Sequence, residues 1–251
     1  MPDSPEPNNV LIFGATSAIA QAVARRYADA QARFVLVARD PVKLGANAAD
    51  LAARGATVAG TLVADLEDGD RHGEWFAAAV AALGTLDVVL IAHGTLPDQA
   101  QCEADAAAMR RAIDVNFVSA ASLATHVAVQ FERQRSGTLA VIASVAGDRG
   151  KRSNYVYGAA KAGLAVYLQG LRARLAPCGA SVLTIKPGFV DTPMTAGFAK
   201  GALWATPERV AAAICRAIDA RRTVIYVPWF WRPIMLAIRI IPERIFIRMR
   251  M

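Results

Sequence analysis

NVLIFGATSAIAQAVARRYA, residues 9 to 28, decides how the chain is read. An apolar run ends at Gly14, and the small residues behind it open an amphipathic, alanine-rich helix. A strand that meets a helix through so tight a turn leaves free N–H groups and the positive end of the helix dipole facing one point. Gly14 lets backbone and phosphate approach closely there, so the stretch suits a pyrophosphate. Alone it is equally an ordinary strand-to-helix turn packed with small residues. Its place on the first strand of an alternating chain favours the binding reading.

Working outward, short β-branched runs keep alternating with amphipathic stretches. After NVLIF (9 to 13), strands are expected at RFVLVA (33 to 38), ATVAGTLVA (56 to 64), LDVVLIA (86 to 92), TLAVIA (138 to 143), ASVLTIK (180 to 186) and TVIYVP (223 to 228). Seven strands with crossover helices predict an α/β fold, a Rossmann-type doubly wound parallel sheet between two helical layers. The 251 residues suit one large domain over 1–228, with 1–8 a disordered lead and 229–251 a basic, apolar tail.

Composition narrows the function classes. Hydrophobic residues make up 55% and mean hydropathy is +0.30, yet the sequence has no run of about 18 uncharged apolar residues that would predict a membrane span. MPDSPEPNN lacks the basic start and apolar run of a signal peptide. Cys102, Cys178 and Cys215 are scattered, and His72, His93 and His126 stand without carboxylates at ligand spacing. Neither a disulfide framework nor a metal site is expected, and a reducing cytoplasm is. Of the net charge of +7, residues 221 to 251 hold +6, seven arginines against Glu243, so the body is near neutral.

NYVYGAAKAG, residues 154 to 163, offers two tyrosines and a lysine at the start of a helix that Ser153 or Asn154 would cap and Pro177 would stop. Residues four apart share a helix face, which pairs Tyr157 with Lys161 and leaves Tyr155 to pack or line a cleft. A free phenol, with pKa about 10, is a poor acid or base at neutral pH, and a neighbouring ammonium is expected to lower that value. Most Tyr-x-x-x-Lys pairs are a packed aromatic beside an exposed lysine, so further residues must decide. Ser144 closes the strand TLAVIA thirteen residues before Tyr157, at the sheet edge where ligands bind, and could hold a carbonyl oxygen. Asn116 sits within an amphipathic helix where Ala or Leu would be favoured, and could hold a water linked to Lys161.

These residues give the sequence a resemblance to the short-chain dehydrogenase/reductase family over nearly its whole length. Gly14 with Ala18 and Ala20 resembles the family's glycine-rich turn, AHG at 92 to 94 its Asn-Ala-Gly segment, and YGAAK its Tyr-x-x-x-Lys motif. The resemblance implies that Asn116, Ser144, Tyr157 and Lys161 are the catalytic four. It also implies nucleotide contacts from Gly14, Thr16, Ser17, Ala18, Ile19, Asp65, Leu66, Ala92, His93 and Gly94, with Pro187, Gly188, Val190 and Thr192 at the nicotinamide. Ala18 and Ala20 depart from the family's glycines and would add methyl groups near the pyrophosphate; His93 is a second departure. In NAD-preferring members an acid ends the second strand. Here Ala38 holds that place and Arg39 follows, which implies NADP, with NAD as the alternative.

Arg149, Lys151 and Arg152 lie between Ser144 and Tyr157; they read as solvated loop charges or, more sharply, as ligands of a substrate phosphate. The tail VPWFWRPIMLAIRIIPERIFIRMRM, broken by prolines at 228, 233 and 242, suits peripheral contact with the inner face of a membrane, its competitor being a subunit interface in a homo-oligomer. RSNYVYGAAKAG and the IPERIF ending resemble the decaprenylphosphoryl-2-keto-ribose reductases, which implies a ketone on a lipid-linked sugar. The alternatives are a 3-oxoacyl or small-ketone reductase of the same family and, outside catalysis, a nucleotide-sensing scaffold. Nucleic-acid binding is not expected, because apolar residues outnumber the charges of the tail.

Overall fold

A computed structural model describes residues 8–249; most of the lead expected at 1–8 lies outside the described residues. Seven strands, β1 (Asn9–Phe13), β2 (Arg33–Ala38), β3 (Thr57–Val63), β4 (Val88–Ile91), β5 (Thr138–Ile142), β6 (Ser181–Pro187) and β7 (Val224–Val227), form one parallel sheet in the order β3-β2-β1-β4-β5-β6-β7. This is the doubly wound Rossmann-type arrangement, with the order reversing between β1 and β4. β1 and β2 keep their predicted bounds, and the other strands shift by a residue or two at their ends, where fraying leaves no sharp sequence signal.

Both faces of the sheet are covered, which is why the central strands read as continuous apolar runs. Val10 and Ile12 of β1 pack with α1 (Ala18–Ala28), α2 (Pro41–Ala53) and α8 (Pro207–Asp219) on one side. Leu11 and Phe13, pointing the other way, pack with α3 (His72–Leu83), α6 (Ser119–Gln134) and α7 (Tyr155–Leu175). The short α4 (Gln99–Ala104) and α5 (Ala106–Ile113) precede α6. The helical run 106–134 is long and apolar enough to cross a membrane, but α6 packs against β4 and β5 as a core helix does.

The tail is not a loose extension. It forms α9 (Trp231–Ile240) and α10 (Glu243–Phe246), with Trp231, Met235 and Phe246 buried against the body. Pro233 does not break α9, because it falls in the first turn, where its missing N–H has no intrahelical role.

Candidate active site

Parallel winding carries every loop that follows a strand to one edge of the sheet, and the residues singled out in the sequence gather there. Gly14 to Ile19 follow β1, Arg39 follows β2, Asp65 and Leu66 follow β3, Ala92 to Gly94 follow β4, Ser144 follows β5, and Gly188 to Thr192 follow β6. The turn after β1 is tied to its neighbour by Gly14 and Ala15 N–H groups donating to Val37 O (2.9 and 3.0 Å). Gly14 has φ +78°, and a Cβ there would stand 2.6 Å from His93 N, so no other residue fits between the ends of β1 and β4. Ser17 caps α1 by accepting from Ala20 N. Ala18 is half-buried at the mouth, whereas Ala20 is fully buried in the core. Its methyl therefore does not face the pyrophosphate side, a correction to the expectation for both alanines.

His93 is braced into the protein. Ser119 Oγ donates to Leu66 O, so His93 Nε2–H must donate to Ser119 Oγ (2.8 Å). His72 donates to the same carbonyl through Nε2 (3.1 Å). Burial, aided by Lys161 and His72, pushes the His93 pKa down to about 3, which keeps the ring neutral. Its side chain thus joins the ends of β3 and β4, and only its backbone meets Gly14.

Asn116 is fully buried in a π-helical turn, Asp114–Val118, between α5 and α6. One widened turn in an otherwise regular helix is a frequent mark of a functional position. The Asn116 side chain donates to Ala112 O (3.0 Å) and accepts from Thr95 N (3.1 Å), which pins the loop after Gly94. A Cβ on Gly94, at φ +153°, would meet Asn116 Oδ1 at 2.8 Å and Lys161 Nζ at 3.4 Å. The bare glycine therefore lets amide and ammonium converge.

Lys161 is 3% exposed, and its hydrogen bond among the described residues is to Ile142 O (3.1 Å). Burial pulls its pKa down to about 8. Tyr157 lies on the same helix face, its ring centroid 5.8 Å from Lys161 Nζ, while Tyr155 stands 44% exposed. Burial pushes the Tyr157 pKa up to about 12, and the neighbouring Ser144 hydroxyl pulls it partly back. This corrects the expectation that the ammonium lowers it: Lys161 is turned to a carbonyl, and desolvation of the phenolate dominates.

Two glycines that the sequence reading passed over set the distance between Ser144 and α7. A Cβ on Gly147 would lie 2.7 Å from Ala162 N, and one on Gly158 would lie 2.9 Å from Ala146 O. The loop after Ser144 is thus laid directly on the helix that carries Tyr157. Ser144 holds the loop's first turn by accepting from Ala146 N (3.1 Å). Asn154 occupies the N-cap of α7, but its side chain makes no capping bond; Gln99 accepts from Val156 N instead (3.2 Å).

The loop cations separate. Arg149 does not face a cleft as a free guanidinium. It donates to Ile238 O (2.8 Å), Arg239 O (3.1 Å) and Ile241 O (2.6 Å), pairs with Glu243 (2.8 Å) and covers the Phe246 ring at 3.9 Å. The expectation that it binds a substrate phosphate is corrected: its donors are taken by the C-terminal end of α9. Lys151 is half-buried and Arg152 exposed, and neither is hydrogen-bonded or ion-paired through its side chain among the described residues. The adjoining Asp148 accepts from Lys186 and from Tyr226 Oη (2.7 Å), locking the loop to β6 and β7. After β6, Gly188 N donates to Val227 O (3.0 Å), and a Cβ at 188 would fall 1.9 Å from Trp231 Nε1. Trp231 stands edge-on to Phe189 (5.6 Å), which stacks on Trp204 (5.4 Å). Val190 pairs with Ala205, and Thr192 opens the next turn.

The edge fits an anionic dinucleotide. The first-turn N–H groups of α1 face it, Gly94 leaves room, and the buried ammonium of Lys161 awaits hydroxyl acceptors. Arg39 stands at the rim, 69% exposed and only loosely paired with Asp65 (3.8 Å) and Glu67 (4.0 Å).

A dinucleotide edge beside a tyrosine, lysine and serine defines a nicotinamide-dependent oxidoreductase, and the chain belongs to the short chain dehydrogenase family, whose model matches residues 8–202. It is thus an NAD(P)-dependent dehydrogenase/reductase. It is 42% identical to an uncharacterized oxidoreductase of Mycobacterium tuberculosis over 240 residues, 96% of each chain. It is 36% identical to an uncharacterized oxidoreductase of Streptomyces coelicolor over 245 residues, 97% of this chain and 96% of that one. The crystal structure of levodione reductase shares the fold, with a TM-score of 0.79 at 24% identity, covering 88% of this chain and 96% of that one.

Proposed function

We propose that the protein reduces a ketone to a secondary alcohol with NADPH, and that the ketone is carried by a sugar on a polyprenyl phosphate. When bound, the nicotinamide supplies the hydride. Tyr157 gives the proton to the carbonyl oxygen: burial keeps the phenol protonated in the cofactor-free protein, and efficient donation requires the charges gathered around the bound nicotinamide to bring its pKa back down toward neutrality. Ser144, laid against α7 by Gly147 and Gly158, orients that oxygen. Lys161 holds the ribose hydroxyls and, with Asn116, supports the return of a proton to Tyr157. In the oxidative direction Tyr157 is the base.

The observation that carries this reading is the convergence of Lys161 Nζ and Asn116 Oδ1 on Gly94, on the helix face that Tyr157 shares. NADP over NAD is supported by Arg39 at the end of β2, where Ala38 stands in place of an acid. The lipid-linked sugar is supported by the resemblance of RSNYVYGAAKAG and by Lys151 and Arg152, the two loop cations that the tail leaves available. The test is a coupled assay with a polyprenyl-phosphate keto-sugar in detergent, run beside soluble 3-oxoacyl and small ketones. Turnover of the soluble compounds without detergent, and none of the lipid-linked one, would replace the substrate class and leave the ketone reductase reading standing.

A further inference from the structure

The outward sides of α9 and α10 carry side chains that the active-site edge does not use. Trp231 and Met235 turn inward from α9, and Phe246 turns inward from α10 beneath Arg149. Facing water instead are Trp229 (74% exposed), Leu236, Ile240 (74%), Ile245, Ile247 (69%) and Met249. Single exposed apolar residues are normal, but six within one short segment form a patch that a soluble surface avoids. Arg232, Arg239, Arg244 and Arg248 are exposed among them. Positions 232, 236, 239 and 240 recur at helical spacing, so cations and apolar groups share one stripe. The one acid of the segment, Glu243, is drawn to Arg149.

We propose that this stripe is a docking surface for an anionic lipid bilayer, held in fixed register with the catalytic edge by Arg149. The charge pattern selects the occupant. Apolar groups that enter the acyl boundary, flanked by guanidinium groups at headgroup level and with no free carboxylate between them, complement an anionic membrane surface. The register comes from the backbone: one guanidinium binds three carbonyls at the end of α9, and it belongs to the loop that begins at Ser144. Docking therefore presents the edge with Ser144 and Tyr157 toward the surface in which a polyprenyl substrate is dissolved. That orientation rests on the function proposed above, whereas the docking itself does not.

The experiment uses the full chain and vesicles of equal parts phosphatidylglycerol and phosphatidylcholine, against phosphatidylcholine alone. Cosedimentation is measured together with quenching of tryptophan fluorescence by brominated acyl chains. The expected result is binding to the anionic vesicles, weakened by salt, with quenching that falls in Trp229→Phe. A Leu236→Asp, Ile240→Asp double variant is expected to lose about tenfold or more in binding with an unchanged melting temperature. If those aspartates perturb folding, Arg244→Glu with Arg248→Glu tests the same face by charge. Equal binding to neutral vesicles, indifference to both double variants, or a variant that dissociates an oligomer while the parent ignores vesicles would overturn the proposal. In the last case the occupant is a second copy of the chain. Turnover is not part of the readout, so failure of the ketone-reductase reading and failure of docking are separable.

Discussion

Gly158 presses a bare Cα against the Ala146 carbonyl: a Cβ there would stand 2.9 Å from that oxygen. The contact fixes how far Ser144, two residues before Ala146, lies from Tyr157, one residue before Gly158. In Gly158→Ala the overlap is with backbone, so the loop must move. The cost is expected at about 1–3 kcal/mol of stability. The kcat should fall more than KM rises, because the serine is displaced from the reacting oxygen; urea unfolding and steady-state kinetics read the two effects separately.

Tyr157→Phe removes the proton donor and little else. Turnover is expected to fall by about 100-fold or more. Binding of NADPH, followed by fluorescence titration, should stay within about twofold, well under the 1.4 kcal/mol that a tenfold change represents. A variant with parental turnover would show that the proton comes from elsewhere.

The buried lysine makes stability depend on pH. With a folded pKa near 8 against about 10.5 when unfolded, Lys161 binds fewer protons in the native state between those values. Stability of the cofactor-free protein should therefore rise with pH across that window. Tyr157 acts in the opposite sense: its folded pKa near 12 exceeds the unfolded value of about 10, so stability should fall as pH climbs from 10 toward 12. Lys161→Met should reduce the rise between pH 8 and 10 in urea denaturation, and Tyr157→Phe should lessen the later fall, to which the buried Tyr27 and the half-buried Tyr226, also shifted upward, contribute in the same sense.

Arg149→Ala leaves three helix-end carbonyls without their cation. Hydrogen bonds to charged groups are worth about 1.5–3 kcal/mol each, and part of that is recovered from water, so a loss of about 2–4 kcal/mol is expected. The segment 238–249 should become the first site of limited proteolysis. Glu243→Gln should cost less than about 1 kcal/mol, because its carboxylate is largely exposed.

Arg39→Ala tests the choice of nucleotide. Loss of a guanidinium from a 2′-phosphate is expected to lower kcat/KM with NADPH by about 10- to 100-fold and to leave NADH unchanged. A parental protein that prefers NADH would remove the NADP assignment.

Much of this molecule could be read directly. The strands β1 and β2 announced themselves residue for residue, because apolar runs between turn residues have few other folds. Tyr157 and Lys161 are legible as a pair from their four-residue spacing, Ser144 from its place at the end of a strand and Asn116 as a polar residue in an amphipathic helix, and the resemblance joins the four. What remained hidden depends on partners far along the chain. Neither a solvated loop charge nor a phosphate ligand describes Arg149, because its acceptors are backbone carbonyls 89 to 92 residues away, and a carbonyl leaves no trace in side-chain type. At Gly188 the neighbouring Trp231 adds a packing reason for glycine that no local pattern discloses. The raised Tyr157 pKa was likewise invisible, since helical spacing reveals a neighbouring charge and not the depth at which both groups sit.

The contact between Trp231 and Gly188 bears on biosynthesis. A nascent chain extruded only as far as residue 230 would possess all four polar groups of the edge and the whole sheet, yet Gly188 would have no indole above it and Arg149 no helix to grip. Translation thus delivers the reactive groups before the helix that packs on Gly188 and takes up Arg149. The contacts at Gly188 and Arg149 can form only after residues 231 to 241 have emerged.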